Sequence, residues 1–248
     1  MSCAGCEKDC STCNVEVRQK YINAVLNIDV GGLEQLLDTE PFDRSLLDQL
    51  LPSCPKGCSI LWLIQCWEII LAEEYQGEYG EIVAKRREQN AKIKQIFIEK
   101  IHANFVPINF QISPFIFYQN EKDETVEEIL FMSREELNEK GICDLDIDLY
   151  CAVCKFQFKE VKKLLRAGAN PNAHVDIYGI DEDEEGQTCL NRIGIEYDYL
   201  EFASLNKLIS GEEYVTSNYY QYFTDLTGLA AHKKMYSYLH KYIRNNID

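Results

Sequence analysis

Residues 148–173 read DLYCAVCKFQFKEVKKLLRAGANPNA, and their spacing decides the fold. Leu149, Ala152, Val153 and Phe156 recur at helical intervals, which predicts one short amphipathic helix with a single apolar stripe. After a break near Gln157 the pattern resumes at Val161, Leu164 and Leu165, with Lys159, Lys162, Lys163 and Arg166 off that stripe, so a second helix follows. Gly168 comes just after its last turn, where a left-handed residue costs least as glycine, and Pro171 cannot extend the helix. The basic residues gather toward the C-terminal side of this helix, where the dipole favours cations. Two helices this short cannot hide their own apolar stripes, so neighbours of the same kind have to cover them.

The same residues resemble the ankyrin repeat, a helix–loop–helix unit followed by a β-turn. The likeness rests on Leu149, Ala152, Val153, Val161, Leu164, Leu165, Gly168, Ala169 and Asn172, each at the offset of the family pattern. Two features depart from it. Phe156 stands where the family prefers glycine between the helices, and Ile147-Asp148-Leu149-Tyr150 replaces the Thr-Pro-Leu-His signature. What the resemblance implies is an all-α fold, an ankyrin-like helical repeat solenoid with insertions, working as a non-enzymatic protein–protein interaction module.

Working outward, Ala24, Val25, Leu33, Leu36 and Leu37 share the mutual spacings of Ala152, Val153, Val161, Leu164 and Leu165 and form a first repeat. Gly57, Ser59 and Leu61 imitate the opening of a second, whose first helix is ILWLIQCWEIILA. A charged insertion from Glu73 to about Arg87 then precedes its partner helix, which carries Ile93, Ile96, Phe97 and Ile101. Val126, Ile129 and Leu130 read as a helix of a degenerate unit. GQTCL, residues 186–190, again matches a repeat opening. Beyond it, either a long insertion separates two helices or a fresh helix pair begins near Thr227 with Ala230, Ala231, Leu239 and Ile243. Both readings end in a C-terminal helix rich in Lys, His and Tyr, suited to a partly wetted cap. The expected organisation is a cysteine-rich tail over 1–14, then a single repeat domain over 15–248.

Composition narrows the function. With 41 acidic against 25 basic residues the formal charge is −16, which repels nucleic acid and anionic membrane and favours a protein partner with a basic patch. No apolar run reaches the roughly 18 residues of a membrane span, and the N-terminus carries no export signal, so a soluble, cytoplasmic protein is expected. Eleven cysteines without an export signal fit a reducing compartment.

Four of those thiols, Cys3, Cys6, Cys10 and Cys13, form a C-x2-C-x3-C-x2-C run. They are candidate ligands for zinc or an iron–sulfur cluster, although three intervening residues leave zinc little room. The competing reading is a cysteine-rich tail with no cofactor. Cys54/Cys58 and Cys151/Cys154 are weaker pairs, the latter read as core filler inside a helix. No phosphate loop, dinucleotide fingerprint, H-E-x-x-H or G-x-S-x-G occurs, and His102, His174, His232 and His240 are scattered at surface-facing or inter-helical positions, so no catalytic residue is expected. Asp181, Asp183, Glu185 and Gly186 follow a calcium-loop pattern whose closing glutamate is Arg192 instead, which makes a solvated turn the better reading. Tyr219, Tyr220 and Tyr222 are candidate partner-binding residues, with core packing of an insertion as the equal alternative. Tyr75 and Tyr79, among glutamates, fit a wetted loop.

Overall fold

The computed structural model describes residues 10–50, 58–72, 77–108, 110, 130, 132–175, 188–190, 193 and 219–246. Among them every regular element is helical and no strand occurs. The elements are α1 (Cys10–Leu26), α2 (Val30–Thr39), a 3-10 turn (Arg44–Leu47), α3 (Ile60–Ile70), α4 (Gly77–Glu99), α5 (Arg134–Glu139), α6 (Asp144–Cys154), α7 (Phe158–Arg166) and α8 (Tyr219–Asn246). The chain divides into two compact units, one of Met1–Ile108 with Ser204–Leu226, the other of Asn109–Ala203 with Thr227–Asp248.

In the first unit α1 packs on α2 and α3 on α4, and like helices also meet, α1 with α3 and α2 with α4. α3 is apolar nearly all round, burying Ile60, Leu61, Trp62, Leu63, Ile64, Cys66, Trp67 and Ile70, so it can only be a central helix. Asn90 of α4 donates from Nδ2 to the Ile64 carbonyl at 3.0 Å inside this core. Tyr21 of α1 points its hydroxyl at the carbonyls of Leu36 (3.0 Å) and Glu40 (2.8 Å), closing the end of α2. Its ring meets Phe42 edge-on at 5.1 Å, and Phe42 meets Phe97 of α4 at 5.7 Å. Arg18 binds the Asp43 carboxylate, the Ser45 hydroxyl and the Leu50 carbonyl, tying α1 to the 3-10 turn.

Two expectations for this unit change. The charged stretch before the partner helix of α3 is helical from Gly77 onward and belongs to α4. Val83 is buried seven residues before Asn90 and continues its stripe, while Arg87 Nε donates to the Leu71 carbonyl (2.6 Å) and an Arg86 guanidinium nitrogen to the Asn27 carbonyl (3.2 Å). Charge there serves to close the C-terminal ends of neighbouring helices. In α2 only Leu33 is buried, Leu36 and Leu37 being half-exposed. Gly57, Tyr75, the Val126/Ile129 stretch and Cys54 lie outside the described residues, as does the side chain of Tyr79.

In the second unit the quoted stretch forms two packed helices, α6 and α7. α7 buries Val161, Leu164 and Leu165 and leaves Lys159, Lys162, Lys163 and Arg166 exposed, as the spacing requires. α6 differs from the expected single stripe: it begins at Asp144 and buries Ile147, Leu149, Tyr150, Cys151, Ala152 and Val153, so neighbours surround it. Gly168 has φ +97° and completes the C-terminal cap of α7, with hydrogen bonds from the Ala169 amide to the Leu164 carbonyl and from the Gly168 amide to the Leu165 carbonyl. Phe156 lies in the turn rather than in the helix, with φ +51°. The same bond pair appears there, Gln157 amide to Ala152 carbonyl and Phe156 amide to Val153 carbonyl. Ile28, between α1 and α2, has φ +53° and repeats it with Asp29 to Ala24 and Ile28 to Val25. These left-handed positions are held by side chains 1% and 0% exposed, so burial replaces glycine's freedom.

The fresh helix pair near Thr227 does not form. One continuous helix, α8, runs through the position, burying Leu229, Ala230, Ala231, Met235 and Leu239, while Ile243 is half-exposed. No proline interrupts residues 219–246, and the single glycine in that stretch, Gly228, costs only about 1 kcal/mol in a helix this long.

Candidate functional site

The second unit presents two surfaces of opposite charge. One is acidic and is built by α5 and the start of α6. Ser133 caps α5: its hydroxyl accepts from the Glu136 amide, while the Glu136 carboxylate accepts from the Ser133 amide at 2.8 Å. That backbone hydrogen bond, and then the Ser133 hydroxyl, holds the Glu136 carboxyl below the usual range. Glu135 and Glu139 are exposed beside it. Asp144 and Asp146 fall in the first turn of α6, where the helix dipole favours carboxylates, with Asp148 next along the helix.

Arg134 joins the two helices, donating to Asp144 at 3.0 Å and Asp148 at 2.7 Å. The hydrogen bond to Asp148, more than that to Asp144, raises the guanidinium above its ordinary value against the opposing effect of burial. Asp144 is lowered by Arg134 and then by Asn138, whose Nδ2 lies 3.2 Å from it. Asp146 accepts from the Asn170 amide at 2.6 Å, tying the tip after α7 back to α6. The result is an edge of carboxylates on which Arg134 neutralises only part of the charge.

The other surface is cationic and joins α7 to α8. Lys234 Nζ lies 5.2 Å from the Phe110 ring centroid and 5.8 Å from that of Phe158, Lys162 Nζ lies 5.5 Å from the Tyr238 ring, and the Tyr242 hydroxyl donates to the Leu165 carbonyl at 3.1 Å. Glu160 pairs with Lys163 at 2.8 Å and raises that ammonium through the hydrogen bond.

Of the described cysteines, Cys143, the N-cap residue of α6, is exposed at the acidic edge. Burial, and then the nearby Cys154, pushes the Cys189 thiol far up, which keeps it protonated and poorly nucleophilic. Cys151 is buried and Cys154 half-buried. His232 is 1% exposed rather than surface-facing, with Nδ1 2.8 Å from the Gly228 carbonyl and its ring 4.5 Å from Phe156. It thus takes the inter-helical rather than the surface-facing of the two expected settings. His102, His174 and His240 are exposed, His102 at φ +55°.

Of the candidate metal ligands, Cys3 and Cys6 lie outside the described residues, while Cys10 and Cys13 fall on the backbone of α1 with their side chains outside them. Tyr219, Tyr220 and Tyr222 lie on the α8 backbone with side chains likewise outside. Asp181, Asp183, Glu185, Gly186 and Arg192 are outside the described residues. Among the described residues no group of three or more His, Cys, Asp or Glu side chains is arranged to hold a metal ion, and no helix is long and apolar enough to cross a membrane. Neither charged edge was legible beforehand; the signal available was the run of acids at 135–148 against the absence of any acid at 227–246. No family model matches the chain, and no curated protein and no solved structure is significantly similar to it.

Proposed function

We propose that this protein is a non-enzymatic protein–protein interaction module of ankyrin-like, irregular repeat type, which works in the cytoplasm and receives a partner's basic patch on the acidic α5–α6 edge. The observation that carries the reading is the pairing of helices around one recurring turn: α1–α2 and α6–α7 share the hydrogen-bond pattern at Ile28 and Phe156, and α3–α4 stacks on α1–α2 like with like. Stacked pairs expose helix starts and turn tips, a surface that suits a macromolecule better than a small substrate. The carboxylates of Glu135, Glu139 and Asp144 stand at such a place.

The test is capture of partners by the full chain from its native host, followed by affinity measurement with the recovered partner. Binding falls steeply as salt rises, because exposed charges separated by more than about 10 Å are screened at 0.1 M. Glu135→Lys with Glu139→Lys weakens it further. An affinity indifferent to both salt and charge reversal overturns the reading.

A further inference from the structure

We propose that the α7–α8 seam is a second docking surface, one that takes an acidic segment of a partner protein. Three contacts fix the geometry: Phe158 with Lys234, Lys162 with Tyr238, and Leu165 with Tyr242. Partners advance together along both helices, each α8 residue standing 76 or 77 positions after its α7 counterpart, so the two helices run parallel and side by side. Lys159, Lys162, Lys163 and Arg166 on α7, and Lys234, Lys241 and Arg244 on α8, are all exposed. Positions 234, 237, 241 and 244 follow one helical stripe, so the α8 cations share a side of that helix. Beside these seven exposed cations, the sequence of α7 and of α8 from position 227 to 246 holds one acid, Glu160.

Such a concentration is unexpected in a chain of net charge −16. The helix dipole accounts for cations in the last turn of α7, at Lys163 and Arg166, but not for Lys159 in its first turn or Lys234 in the middle of α8. Charge complementarity names the chemistry of the occupant, and the overall charge limits its extent. A long polyanion such as duplex nucleic acid, or an anionic bilayer, would be opposed by the chain's large excess of negative charge. A short acidic peptide segment ends where the cations end. From Lys234 to Arg244 the stripe is about 15 Å long at 1.5 Å per residue, matching an extended segment of roughly four or five residues at 3.3 Å each. Tyr236 and Tyr238, half-exposed among the cations, supply flat surface beside them.

The surface is independent of the acidic α5–α6 edge, and its test is separate. A fluorescent oligoglutamate peptide is titrated with the full chain and read by anisotropy, with oligothymidylate of equal charge as competitor. Lys162→Glu with Arg166→Glu lowers the peptide affinity about tenfold or more, since like charges now face it. Lys85→Glu with Lys92→Glu, the same net change at exposed positions of α4, lowers it no more than about twofold. Circular dichroism checks that both variants stay helical. The proposal fails if the wild-type chain does not bind the peptide, if both double variants weaken it equally, or if oligothymidylate binds more tightly. It also fails if sedimentation shows that the seam variant dissolves a dimer, which would make a second copy the occupant.

Discussion

Ile28 and Phe156, 128 positions apart, occupy the same point of the same turn, with φ +53° and +51° and both side chains buried. A left-handed backbone costs an ordinary residue about 1–2 kcal/mol, whereas burying a large apolar side chain returns about 1.5–3 kcal/mol. The exchange favours keeping the side chain. It also reverses a familiar order of substitutions. Phe156→Ala keeps the strain and opens a cavity, costing about 3–5 kcal/mol. Phe156→Gly opens the cavity but relieves the strain, so it is less destabilising than Phe156→Ala by about 1 kcal/mol. Chemical denaturation of the two variants decides it, and alanine outperforming glycine would refute the turn assignment.

Gly168 provides the contrasting case. Its φ is +97° and a Cβ there would meet nothing within 4 Å, so Gly168→Ala costs backbone strain alone, about 1 kcal/mol. A shift in denaturation midpoint without a change in slope is the expected signature.

The Arg18–Asp43 pair makes stability depend on pH in a definite sense. Partial burial pushes the Asp43 carboxyl up, but hydrogen bonds from Ser45 and Arg18 outweigh it and the net effect is downward. A carboxylate held low in the folded state contributes stability above its unfolded pKa of about 3.9 and loses it as pH falls through the folded value. Asp43→Asn therefore destabilises by about 1–3 kcal/mol at neutral pH, and the gap to wild type closes toward pH 3. A gap that is constant across this range would contradict the assigned network.

Arg134 bridges Asp144 and Asp148 at a largely accessible site, where ion pairs contribute little. Arg134→Met lowers stability slightly at low salt. In 1 M sodium chloride the loss shrinks, because the screening length there is about 3 Å.

Tyr242→Phe removes the hydrogen bond to the Leu165 carbonyl and little else, for a loss of about 0.5–1.5 kcal/mol. Amide hydrogen exchange in α7 should accelerate along with it.

Local pattern decided what was readable beforehand. Val161, Leu164, Leu165 and Gly168 obey rules that act within a few residues, and each lies where spacing puts it. Ile28 and Phe156 do not follow such a rule, since only the surrounding core explains why an apolar residue holds a strained backbone. The lysines and arginine of α7 were legible as a solvated face but not as part of a seam, because their neighbours on α8 lie about 76 positions further on. The acidic edge was hidden likewise: Arg134 finds Asp144 and Asp148 only once α5 and α6 meet.

The plugged turns also constrain how this chain can change in length. A loop whose middle residue is anchored in the core has no slack, and an inserted residue there would pull Ile28 or Phe156 out of its socket. Growth by insertion is therefore excluded where an aliphatic or aromatic stopper holds two helices together.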